Sequence, residues 1–156
     1  MLFTRTYRYQ SAMKVDDIKG RLLGKHVKVH NLDFEVFEKD RMLRIIPHAE
    51  QVTDIKTLPI THVEFKDKGS GTQVVISSKI RKIDQGGPTI LMVFVAFMLI
   101  GAVVALVAGK EEGLPFTYTL LGIALVIFSI FWVRMQAGYF DYVRKIRDYI
   151  KKESAA

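Results

Sequence analysis

Two uncharged apolar runs constrain this chain more than any other feature. Pro88 to Gly109 is 22 residues long and Leu114 to Val133 is 20, and neither holds a charged side chain. At about 1.5 Å of rise per residue, a helix of either length covers a hydrocarbon core of about 30 Å. Helices of a soluble core rarely run this long without a polar face. The sequence therefore predicts two membrane-spanning helices, 88–109 and 114–133, rather than a pair of buried helices. Pro88 and Pro115 stand near the first helical turns, where a missing N–H costs little. Tyr118 and Trp132 stand near opposite ends of the second run, where amphipathic rings favour the interface. The connection, Lys110-Glu111-Glu112-Gly113, is short enough to force an antiparallel hairpin.

Charge gives the expected orientation. Lys79, Arg81 and Lys82 precede the first run; Arg134, Arg144, Lys145, Arg147, Lys151 and Lys152 follow the second. The bias of Lys and Arg then predicts both termini in the cytoplasm, with the hairpin in the plasma (inner) membrane. The first ten residues alternate and carry charge, unlike a signal peptide. A hydrophobic fraction of 49% and the lack of cysteine argue against a disordered tail and a disulfide scaffold. The spans hold no Asp, Glu, Lys, Arg or His, which pumps, proton-coupled transporters and voltage sensors use inside the membrane. Gly101, Ala105 and Gly109 recur at four-residue spacing, a row that lets another helix approach closely. The row suits either the second span, with Gly122 as a matching notch, or a partner subunit.

Residues 1–87 read as a small cytosolic α+β domain. Phe3, Tyr7 and Tyr9 share a face of a first strand, and a short helix follows from Val15 to about Leu23, with Asp16 and Asp17 in its first turn and Gly24 to end it. Period-two alternation then predicts four or so antiparallel strands. Val27 and Val29 share one parity and Leu32, Phe34 and Val36 the other, which predicts a turn or bulge near His30. Lys39-Asp40-Arg41 reads as a hairpin turn into Met42–Ile46. Residues 48–57 read as a loop or weak edge strand, before strands at 60–66 and 72–82 joined by the turn Asp67-Lys68-Gly69-Ser70-Gly71. The expected architecture is a helix on a curved sheet. Residues 88–133 form the hairpin. Residues 134–156 form an amphipathic helix and tail, with Met135, Tyr139, Tyr142, Val143, Ile146, Tyr149 and Ile150 on one stripe. That stripe suits either the cytosolic headgroup layer or the underside of the sheet.

No reactive constellation is legible. His26 and His30 would flank Lys28 on one strand face, without cysteine or a suitably spaced carboxylate, so neither a metal site nor a cofactor is expected. Asp16-Asp17 reads as helix capping, Ser77-Ser78 lacks a nucleophile turn, and Gly69-Ser70-Gly71 is too short for a phosphate loop. The basic surplus is scattered among acids, unlike a nucleic-acid patch. Its juxtamembrane part, Lys79, Arg81, Lys82, Arg134, Arg144 and Lys145, suits anionic lipid headgroups. The expected role is that of a non-enzymatic accessory or scaffold subunit, engaging itself or another membrane protein through the hairpin and the domain. The alternative is binding of a lipid or small amphiphile between helix 15–23 and the sheet. A membrane-bound enzyme would draw first on His48, His62 and Glu64.

Overall fold

A computed structural model describes residues 3–30, 32–48, 57–69, 71–109 and 113–155. The elements in chain order are β1 (Arg5–Ser11), α1 (Val15–Leu22), β2 (His26–Val29), β3 (Leu32–Lys39), β4 (Met42–Pro47), β5 (Pro59–Asp67), β6 (Thr72–Ile80), a 3-10 turn (Lys82–Asp84), α2 (Gly86–Gly109), α3 (Leu114–Ala137) and α4 (Tyr139–Glu153). They fall into two compact units. One joins residues 1–81 to residues 138–156; the other is residues 82–137.

The first unit is α+β. Its six strands form one antiparallel half-barrel in the order β1-β6-β5-β4-β3-β2. Five strands follow α1, one more than four, because the alternating stretch 27–36 breaks in two at His30 (φ 56°). Asp40 and Arg41 both take left-handed φ, 55° and 62°, between paired Lys39 and Met42. That is the geometry of a two-residue hairpin whose twist matches its strands. Gly24 (φ 69°) turns the chain out of α1 at a conformation that costs glycine little, and its N–H bonds to Val36 O at 2.9 Å. The expectation of a loop or weak edge strand falls, over residues 49–56, outside the described residues.

Alternation sends one side of each strand inward. Val27, Phe34, Val36, Leu43, Ile45, Val63, Val74 and Ile76 line that inner face, and Ile18 and Leu22 of α1 pack on it. So do Tyr142, Ile146 and Ile150 of α4. The amphipathic stripe of the C-terminal helix thus docks on the sheet. It begins at Tyr139 rather than at Arg134. The preceding helix α3 continues through Arg134 and Met135 to Ala137, and the break falls at Gly138 (φ −100°, ψ −95°). Met135 accordingly belongs to α3 and not to the α4 stripe.

The second unit is the α2–α3 hairpin. Both helices are long and apolar enough to cross a membrane. Buried positions recur at seven-residue spacing, Pro88, Val95 and Ala102 on α2 and Thr117, Ala124 and Phe131 on α3, and Met135 follows four residues on. A seven-residue spacing suits a packed seam between two neighbouring helices. Most of the remaining surface is bare hydrocarbon, from Phe97 and Val107 to Leu125 and Val133.

Candidate functional site

The best-defined polar geometry in the first unit surrounds α4. At its start, Tyr139 Oη donates to Phe3 O at 2.7 Å, and the Arg5 guanidinium lies 4.6 Å from the centre of the Phe140 ring. Burial pushes the Tyr139 hydroxyl well above the ordinary tyrosine range, against the opposing pull of Arg5. One turn on, Asp141 faces the His30 turn: His30 Nε2 lies 2.8 Å from Asp141 Oδ2, and Lys145 Nζ lies 3.2 Å from the same oxygen and 2.9 Å from His30 Nε2. Arg144 reaches Asp141 Oδ1 at 3.6 Å. The His30 hydrogen bond, with help from Lys145, holds the Asp141 carboxyl below its usual value. The His30 ring also meets Tyr142 edge-on, with centroids 5.6 Å apart.

The far end of α4 is pinned as firmly. Ser154 is fully buried. Its carbonyl accepts from Ser11 Oγ at 2.5 Å, and its hydroxyl pairs with the Tyr9 hydroxyl at 2.8 Å. Burial raises the Tyr9 hydroxyl, and the Ser154 bond partly offsets it. Arg147 lies over the Tyr7 ring at 4.8 Å between the two ends. None of these contacts is legible in the sequence. Ser154 lies beyond the periodic stripe, and its partners are more than 140 residues away.

Of the six cations expected to meet headgroups, four lie in the first unit, on more than one element. Lys79 stands exposed on the outer face of β6, whereas Arg144 and Lys145 ride on α4, against the inner face, and share Asp141. The Arg81 N–H bonds to Leu58 O at 3.1 Å as β6 ends. Lys82 opens the 3-10 turn and Arg134 lies in the last turn of α3, both in the second unit.

Of the small residues, Gly101 lies against the second helix of the hairpin, whereas Gly109 and Ala105 approach Gly113, just before that helix. A Cβ on Gly101 would stand 3.4 Å from Leu120 Cδ1. One on Gly113 would stand 2.9 Å from Gly109 Cα and collide with Ala105 O. Gly122 is not the matching notch. It is exposed, and a Cβ there would meet nothing within 4 Å. The seam takes Ala124 instead, because the seven-residue repeat carries Gly122 away from α2.

The side chains weighed for chemistry remain dispersed. His48 lies beside His26 (ring centroids 6.3 Å apart), while His62 sits on β5 opposite Arg44 and Ser77. His26 Nδ1 contacts Asp33 Oδ2 at 2.7 Å. Burial, then Arg44 and Lys79, push His62 below its ordinary value. Among the described residues, no three His, Asp or Glu stand close enough to hold a metal ion. Ser78 is buried and pairs with Thr61 Oγ1 at 2.8 Å. Phe34 and Val36 are buried in one cluster with Ile18 and Leu22 of α1 and Tyr142, Ile146 and Ile150 of α4, and Phe65 packs against that cluster. A pocket of about 220 Å³ lies instead at the end of β1 and β6, lined by Gln10, Ser11, Lys68, Thr72 and Gln73, and is too polar for an acyl chain.

Comparison with protein-family models, with curated proteins and with solved structures finds no match to this chain.

Proposed function

We propose that this is an integral membrane protein of the inner or plasma membrane, serving as a non-enzymatic accessory or scaffold subunit. The observation that carries the reading is a folded unit interrupted by an apolar hairpin. Residues on both sides of that hairpin build one hydrophobic core. With α2 and α3 as spans, both flanks then lie on one side of the membrane. The distribution of Lys and Arg supports the cytoplasm as that side. The chain passes from the unit into the hairpin segment and back at 81/82 and 137/138, so the unit is joined to it at two points.

Charge supports contact with anionic headgroups. Residues 82–137 hold three basic and three acidic side chains, so the whole formal surplus of +7 lies on the first unit. Lys79, Arg81, Lys82 and Arg134 flank the spans and are the better headgroup partners. Arg144 and Lys145 divide their charge with Asp141. Binding of an amphiphile between α1 and the sheet has less support, since Ile18 and Leu22 of α1 are fully buried in one cluster with Phe34 and Val36. A scaffold needs a partner, either a second copy or another membrane protein. Native mass spectrometry after gentle solubilisation, with cross-linking in the membrane beforehand, is expected to yield a species heavier than one chain. A single chain with no companion in both experiments would remove the scaffold reading.

A further inference from the structure

We propose that α4 is a strap that closes the cytosolic unit only after the hairpin has crossed the membrane and returned, so that completion of the fold depends on the topology of the spans. The proposal rests on reading α2 and α3 as spans. Chain order makes the dependence physical. Residues 3–80 carry all six strands and α1, and they precede the hairpin. Until α4 arrives, the inner-face cluster lacks Tyr142, Ile146 and Ile150, and Phe34 lacks the Tyr142 ring, whose centroid lies 5.8 Å from its own. Burial of such side chains is the main favourable term in folding, so the unit without α4 is open and only marginally stable.

The strap has a hinge and two fasteners. The hinge is Gly138, where α3 ends and α4 begins, and its carbonyl accepts from the N–H groups of Asp141 and Tyr142 at 3.1 Å. The fasteners are the Tyr139–Phe3 and Ser154–Tyr9–Ser11 contacts, with His30–Asp141 between them. Every partner of these fasteners lies within residues 3–30, just before β1, on it, or at the β2–β3 turn. A chain whose second span failed to return would hold α4 across the bilayer from all of them.

The chain has no cysteine, so a single engineered pair reports docking. His30→Cys with Lys145→Cys replaces two exposed partners whose side-chain nitrogens lie 2.9 Å apart. Three backgrounds carry the pair: the full chain, a chain lacking residues 114–133, and a chain in which those residues are replaced by alternating Leu and Ala of equal length. Isolated membranes are treated with a short bismaleimide, and the intrachain product is read as a gel shift. The full and replaced chains are expected to cross-link to a similar extent, and the one-span chain to fall to background or to be degraded while the replaced chain persists. Equal cross-linking of the one-span chain, or none in the full chain, would overturn the proposal. Alkaline carbonate separates the two possible failures. Release of the full chain refutes the spans themselves, whereas retention together with equal cross-linking refutes only the strap.

Discussion

The two units use the same apolar side chains in opposite ways. In the first, Phe34 is 0% exposed and Val36 1%; in the hairpin, Phe97 is 69% exposed, Val107 76% and Leu125 67%. In water each bare side chain of that size forgoes about 1.5–3 kcal/mol of burial, so a hairpin with this surface is unfavourable there and at ease in hydrocarbon. Polar groups follow the same division. In the half-barrel, hydroxyls reach across the fold, as Thr61 does to Ser78 and Tyr9 to Ser154. In the hairpin they turn back on the carbonyl four residues before, Thr89 to Gln85 O at 2.8 Å, Thr117 to Gly113 O at 3.0 Å and Thr119 to Pro115 O at 2.8 Å, with Thr117 also 3.4 Å from Ala102 O on the other helix. A hydroxyl among lipid tails has no water to bond, and the carbonyl four residues back is the partner always at hand.

Truncation is the sharpest way to break this contrast. Ile146→Ala removes a fully buried side chain from under the sheet and is expected to destabilise the first unit by about 2–5 kcal/mol. Leu125→Ala, on the bare face of α3, is expected to change stability in lipid vesicles by less than about 1 kcal/mol. Pulse proteolysis of the reconstituted protein measures both, and equal effects would erase the distinction between the units. Within the hairpin, Gly113→Val drives a side chain into Gly109 and the Ala105 carbonyl and is expected to cost about 1–3 kcal/mol. Gly122→Ala meets open space and is expected to be neutral or slightly stabilising, which thermal unfolding in detergent resolves. Ser154→Ala removes the hydroxyl from its pair with Tyr9 and is expected to cost about 1 kcal/mol. The rate of amide exchange along α4 reads that loss.

The smallest expected effect is a pH dependence confined to the first unit. His62 is held below 6.5, chiefly by burial. As the pH falls, the unfolded chain takes the proton first. Stability from this group is therefore complete above pH 6.5 and is lost as the pH falls through 6.5 toward the lower folded value. His62→Gln is expected to flatten that part of the proteolysis profile. An unchanged profile would assign the slope to another group.

Much of the half-barrel was legible because one face of each strand is buried. Strict alternation at Leu32–Val36 fixes both strand and facing side, whereas Val74, Val75 and Ile76 run together and only packing puts Val74 and Ile76 inside. The hairpin was legible from run length alone. What period and spacing do not carry is the identity of the partner. The α4 stripe fits a lipid surface or a sheet equally well, and only tertiary packing chooses the sheet. The Gly101 row marks a close approach without saying that the facing seam runs through Ala124 rather than Gly122. Ser154 and Tyr9 meet across nearly the whole chain, a contact with no local signature. Asp40 and Arg41, neither of them glycine, take left-handed φ because the paired strands on either side demand it.

The central claim is that a membrane hairpin interrupts one folded unit, leaving both flanks on the same side. Single cysteines at Thr6, Lys110 and Asp148, labelled with an impermeant maleimide in sealed vesicles of known orientation, test it most directly. Thr6→Cys and Asp148→Cys are expected to react from the same face, and Lys110→Cys from the opposite one. Reaction of positions 6 and 148 from opposite faces, or of all three from one, would contradict it.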